Sequence, residues 1–188
     1  CSTCPMFRTR DRGAPHNLFG NALNAWKELD KRDVNKPSTF RSWVFSKTPG
    51  PEGKPTSGVD VNYKSGVVGW AYDAGSGAWL RSLGKQKQND ANTGKQLAFA
   101  NVAIVYAPHI TTLIQEDVTG ARSIEIQVWG EGPLRLFRDG REYGGKWKRN
   151  AELGNFEFFD PAGNKLALKP GNTWIQMVPM TGVDIGTR

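Results

Sequence analysis

The sequence predicts a mainly β protein, an antiparallel sandwich or barrel carrying one N-terminal amphipathic helix. Three observations carry this expectation. Short segments with alternating apolar residues follow one another from residue 58 to residue 180, and strands this short and regularly spaced belong to sandwiches or barrels. The chain has 22 Gly and 11 Pro in 188 residues, the supply of turn residues that many hairpins need. Only residues 18–31 place their apolar side chains at helical spacing. A chain of this length can bury one core without staples, and seven Trp need somewhere to be buried.

In chain order, residues 1–17 read as extended, because Pro5 and Pro15 disfavour helix. Arg8, Arg10 and Arg12 alternate with Thr9 and Asp11, which on a strand would set three guanidiniums on one face. Asn17 is a good N-cap for a helix over 18–31 that buries Phe19, Leu23, Trp26 and Leu29 and ends on Lys31 and Arg32, at the negative end of its dipole. Residues 33–57 are loop-rich, with an apolar cluster at 40–45 as a candidate short strand. The division that follows is an N-terminal segment and helix over 1–45, a connector over 46–57, a β domain over 58–180 and a fraying tail over 181–188.

Within the β domain, residues 59–63 alternate, and 67–72 and 78–83 flank the glycine-containing loop 73–77. Residues 101–106 are almost continuously apolar, which predicts a central strand, and Pro108 then breaks or bulges the ladder. Residues 123–129 alternate cleanly. Residues 134–138 and 141–143 flank Asp139-Gly140, a strong two-residue hairpin turn. Residues 156–159 and 166–168 flank the turn 160–164, and 172–178 are the last strand.

The net charge is +7 and the isoelectric point about 9.5. This favours anionic partners without selecting one. The basic residues are spread along the chain except for Arg8/Arg10/Arg12 and 138–149, and a solvated basic face is the plain reading. Nucleic-acid motifs are absent, so no specific nucleic-acid partner is expected. No apolar run approaches the roughly 20 residues that span a bilayer, and no signal peptide is visible. Cys1 and Cys4 fit a local disulfide or inert thiols best. Half a zinc site, a thioredoxin-like motif and a lipid-modified first residue all lack their context. No metal and no cofactor is expected.

Two stretches carry candidate chemistry. Arg8, Arg10, Asp11, Arg12, His16 and Asn17 fall within ten residues, and Ala14-Pro15-His16 recurs as Ala107-Pro108-His109. The arginines, both histidines and Asn17 are candidate ligand-binding residues for a phosphate or carboxylate. His16 and His109, with Asp11 to orient one of them, are the candidate acid–base residues of an enzyme. Against the enzyme reading stands the absence of Gly-x-Ser-x-Gly, His-Glu-x-x-His, a P-loop and a dinucleotide fingerprint. Pro15 and Pro108 also suit plain rigid corners. Trp70, Trp79, Trp129, Trp147 and Trp174 lie on predicted strands, where core packing outweighs sugar stacking.

Several of these pieces together resemble the YerB-like family of bacterial envelope proteins, many of them lipoproteins, whose domain has no known function. The resemblance rests on Phe7-Arg8 and Arg12-Gly-Ala-Pro-His-Asn17, on Asn101-Val-Ala-Ile-Val-Tyr106, on Leu136-Phe-Arg-Asp-Gly140 with Gly145-Lys-Trp147, on Phe158-Phe-Asp160, and on Leu168-Lys-Pro-Gly-Asn-Thr-Trp-Ile-Gln176. It implies a β-rich C-terminal domain after an Ala-Pro-His-Asn junction, with this chain beginning near the end of a preceding region. It implies export, with any membrane attachment through a lipid anchor not visible in this chain. No catalytic residues come with it. The combined expectation is an extracytoplasmic, envelope-associated binding or scaffold protein that takes an anionic ligand such as a cell-wall polymer, or an envelope protein, with a homo-oligomer as a further option. An envelope hydrolase using His16 and His109 and a structural subunit of a surface assembly are the alternatives. On the first reading, the segment from Arg8 to Asn17 is expected at the mouth of the β domain near His109, where it forms any site there is.

Overall fold

The computed structural model describes residues 3–37, 43–150 and 154–188. The chain separates into two compact units, Cys1–Phe40 and Arg41–Arg188. The boundary therefore precedes the expected one at residue 45, because Trp43 packs in the core of the second unit and Phe45 bridges Leu168 there.

In the first unit, β1 (Met6–Arg8) pairs antiparallel with β2 (Leu18–Gly20), and α1 (Ala22–Lys31) follows. Two expectations are corrected. The helix does not start at residue 18 under Asn17. Asn21 is the cap, its side-chain oxygen accepting from the Asn24 N–H at 3.0 Å, because residues 18–20 are taken up by the ladder with β1. Nor do Phe19, Leu23, Trp26 and Leu29 bury. All four are exposed, Leu23 by 64% and Trp26 by 61%. The helix does end on Lys31 with Arg32 as its C-cap.

The second unit is a sandwich of two open six-stranded sheets, which decides between the two expected architectures. Its strands are β3 (Lys54–Pro55), β4 (Gly58–Tyr63), β5 (Gly66–Asp73), β6 (Ala78–Leu83), β7 (Gln86–Lys87), β8 (Ala98–Phe99) and β9 (Asn101–Tyr106). There follow β10 (His109–Gln115), β11 (Arg122–Ile126), β12 (Gly130–Arg138), β13 (Arg141–Arg149), β14 (Glu157–Phe159), β15 (Thr173–Val178) and β16 (Asp184–Thr187). One sheet runs β14-β13-β12-β9-β15 with β3 on β13, and the other β16-β4-β5-β6-β7 with β8 on β6.

Strand alternation divides the apolar residues between two clusters. Val59, Val61, Trp70 and Trp79 of the second sheet meet Val102, Ile104, Phe137 and Val178 of the first, forming the layer between the sheets. On the other face of the first sheet, Ala103, Val105, Leu136, Trp147, Phe158 and Leu168 pack with Trp43 and Phe156. Strand β9 feeds both clusters, with residues 101–105 all buried. A strand covered on both faces needs a continuous apolar run rather than an alternating one, so its central place follows from its sequence. Its parallel pairing with β15 does not.

Asp139 and Gly140 form a two-residue hairpin loop between Arg138 and Arg141, with φ of 51° and 65°. Both central residues need positive φ in such a turn, which Asp-Gly tolerates. A Cβ on Gly140 would also lie 2.8 Å from Cε1 of Tyr72. Gly140→Val is therefore expected to cost about 1–3 kcal/mol, read as a lower urea midpoint at unchanged slope.

Residues 181–188 are not a fraying tail. Strand β16 pairs with β4, the Arg188 N–H donates to Gly58 O at 3.0 Å, and Arg188 forms an ion pair with Asp60. The four-residue strand is too short for its alternation to be legible, and what holds it is the otherwise open edge of β4. Strands β10 and β11 form a separate two-stranded sheet after Pro108, with a bulge between Thr111 and Gln115. The sequence predicted β11 but not β10, whose apolar residues Leu113 and Ile114 point into solvent. Among the described residues no helix is long and apolar enough to cross a membrane.

Candidate functional site

Every candidate residue except Arg8, which ends β1, and His109 lies on one loop of the first unit. Strand β1 stops at Arg8, so residues 9–17 form the loop of the β1–β2 hairpin. The three arginines therefore do not share a strand face, as their alternation had suggested. Asn17 closes the loop. Its side-chain amide donates to Thr9 O at 3.0 Å, its backbone carbonyl accepts from the Thr9 N–H at 2.9 Å, and its Oδ1 accepts from Nη1 of Arg8 at 2.7 Å. Arg8 is thus partly engaged in holding the loop, a role closer to structure than to ligand capture.

Arg10, Arg12 and His16 are exposed. Asp11 is the only carboxylate on the loop, with its oxygen 3.8 Å from Nε of Arg12. At that separation and exposure the pair holds its members weakly. The Arg12 guanidinium also lies 5.8 Å from the centre of the Phe19 ring. The loop therefore presents a surplus of positive charge, and the Ala14–Pro15 bond within it is cis.

His109 opens β10 in the second unit. Its Nδ1 lies 2.9 Å from Ala107 O, the Ala107 N–H donates to Val178 O at 2.9 Å, and Pro108 O accepts from the Gln127 N–H at 2.9 Å. The second Ala-Pro-His is thus a hydrogen-bonded corner where the chain leaves the central strand β9 for the β10–β11 hairpin. Cys4 is disulfide-bonded, and Cys1 lies outside the described residues. Among the described residues no three of His, Cys, Asp and Glu gather closely enough to hold a metal ion.

The second unit also contains a cavity of about 280 Å³ lined by Arg138, Tyr143, Asp160 and Lys165, among others. These four side chains already have partners. The Arg138 guanidinium donates to Asp139 Oδ2 at 2.8 Å, to Ala167 O at 2.9 Å and to Ser46 O at 2.9 Å. The Tyr143 hydroxyl donates to Gly50 O at 2.9 Å, and burial pushes its pKa up. Lys165 pairs with Glu157 at 3.0 Å. Asp160 accepts from the side chain and backbone of Asn164, which hold its carboxyl below the usual value. Groups so engaged brace the fold. Arg138, expected on a solvated basic face, is only 2% exposed. Its signal in the sequence was the adjoining Asp139-Gly140 turn, which aims one carboxylate back at it.

Of the five tryptophans expected on strands, four pack inward, and Trp129 lies between β11 and β12. Trp70, Trp79 and Trp147 are fully buried, Trp174 is partly buried against Trp70 and Phe99, and Trp129 is 56% exposed.

Three comparisons bear on identity. The C-terminal domain of the family described as "Protein of unknown function (DUF3048)" matches residues 59–175. The Bacillus subtilis (strain 168) protein named "Putative lipoprotein YerB" is 26% identical over 170 residues, which are 88% of this chain and 48% of that protein. The chain thus spans about half the length of this relative. A crystal structure of the YerB protein from Bacillus subtilis shares the fold with a TM-score of 0.73 at 23% identity, over 97% of this chain and 59% of that one.

Proposed function

This chain belongs to the DUF3048 family by its C-terminal domain, and on that premise we propose that it is an extracytoplasmic, envelope-associated binding protein whose loop 9–17 takes an anionic cell-wall polymer. One observation carries the reading. Arg10, Arg12 and His16 stand exposed on a loop whose lone carboxylate is 3.8 Å from its nearest cation. An arginine edge recognises phosphate oxygens through paired N–H groups, and a polymer of repeated phosphates lets weak contacts add. The place in the envelope is supported by the name of the lipoprotein relative and by the disulfide at Cys4, a bond suited to an oxidising compartment. No specific observation favours the hydrolase or the assembly-subunit reading.

The test is retention on immobilised polyglycerol phosphate across a salt series. The wild-type chain is expected to bind at low ionic strength and to elute as salt rises. Reversing two charges with Arg10→Glu and Arg12→Glu is expected to weaken binding by about tenfold or more, with the thermal midpoint held because both side chains are exposed. A wild-type chain that ignores the polymer at low salt retires the reading. Equal binding by the double variant removes the loop from it.

A further inference from the structure

Arg81 occupies a core-facing position of β6, two residues from Trp79 and directly across from Trp70 on β5. Only 9% of its surface is exposed. Its guanidinium carbon lies 4.6 Å from the centre of the Trp174 ring and 5.6 Å from that of Trp70. An arginine this buried ordinarily has a carboxylate beside it. Arg138, paired with Asp139, and Arg135, in a forked pair with Glu142, follow that rule.

Arg81 breaks it. Among the described residues no carboxylate lies within ion-pair distance, and none accepts a hydrogen bond from its guanidinium. Its Nε is completely buried with no partner, and the indole N–H groups of Trp70 and Trp79 are buried donors in the same state. Nearby polar groups are spent on one another. The Tyr63 hydroxyl donates to Met177 O at 2.8 Å and accepts from Nε2 of Gln176, while Oε1 of Gln176 accepts from the Trp174 indole at 2.9 Å. Burial holds the Arg81 pKa below the ordinary guanidinium value, yet an arginine cannot shed its proton as a buried lysine would. A retained charge with orphaned donors needs an acceptor from outside the chain.

We propose that Arg81, walled by Trp70 and Trp174, is the anchor of a binding site for a carboxylate group, brought by a small organic acid or by the C-terminus of a peptide. A carboxylate is planar and meets the guanidinium fork with two parallel N–H···O bonds. The site shares no residue with loop 9–17, so each proposal stands or falls alone.

The probes are acetate, inorganic phosphate, and acetyl-Ala-Ala as free acid and as C-terminal amide, titrated at constant ionic strength with chloride. Tryptophan fluorescence and the thermal midpoint of the whole chain are the readouts. Acetate and the peptide acid are expected to give saturable changes, the amide none. Tighter binding of the peptide acid than of acetate identifies a chain terminus, and equal binding a small acid. Arg81→Met is expected to fold, with a midpoint at or above wild type because an unpaired buried charge is gone, and to lose the response. Arg81→Lys, which keeps the charge without the fork, is expected to weaken binding by about tenfold or more, and it carries the test alone if the methionine variant does not fold. The site is overturned by a wild-type chain with no saturable response, by Arg81→Met or Arg81→Lys responding like wild type, or by phosphate matching acetate.

Discussion

Arg138→Ala is expected to lower the stability of the β unit by about 3–5 kcal/mol. The guanidinium is 2% exposed and ties three parts of the chain together, Asp139 in its own turn, Ser46 before the first sheet strand and Ala167 after the last turn. Truncation leaves two carbonyls without their donor and leaves Asp139 only Lys169, 3.0 Å away. The penalty is that of stranding buried polar groups, which exceeds the net worth of the bonds themselves. Against a typical total of about 5–15 kcal/mol, this is a large share. Urea unfolding followed by tryptophan fluorescence measures it. A loss below about 1 kcal/mol would mean that the pair behaves as a surface salt bridge and that its burial contributes little.

Trp147→Ala is expected to cost about 3–5 kcal/mol by opening a cavity in the outer layer of the sheet. Trp147 is fully buried, its indole N–H donates to Tyr106 O at 2.7 Å, and Phe156 meets it edge-on with ring centres 5.4 Å apart. Gly132 faces the ring so closely that a Cβ there would lie 2.7 Å from its Nε1, and the site is therefore packed from both sides. Trp147→Phe keeps most of the apolar volume but strands the Tyr106 carbonyl, so about 1–3 kcal/mol is expected. The order of the two variants is the check. A phenylalanine variant no more stable than the alanine one would mean that the apolar volume it retains contributes little, and the cavity account would fall.

Local patterns in the sequence were enough for the mainly β class, for the central strand and for the Asp139-Gly140 turn. Each depends on neighbours a few residues away. An apolar run over 101–106 states that both faces are covered, and Asp-Gly supplies the positive φ of a two-residue loop. The same was true of the candidate loop only as a segment. Its charges were legible, while its conformation was not, because the pairing of residues 6–8 with 18–20 overrides both the strand alternation of the arginines and the early start of the helix.

Partners were what the sequence could not state. Period-two alternation says that Arg138 and Arg81 occupy one face of a strand, but not that the face is the inner one. Charge argues for solvent until the opposing sheet is in place. Parallel pairing of β15 with β9, the capture of residues 184–187 by β4 and the unpaired state of Arg81 are decided by contacts between residues far apart in the chain. The sequence thus determined which segments become strands and which side chains seek cover. Only the tertiary structure decided what covers them, because burial and ion pairing depend on the distance between elements, and no local pattern encodes that distance.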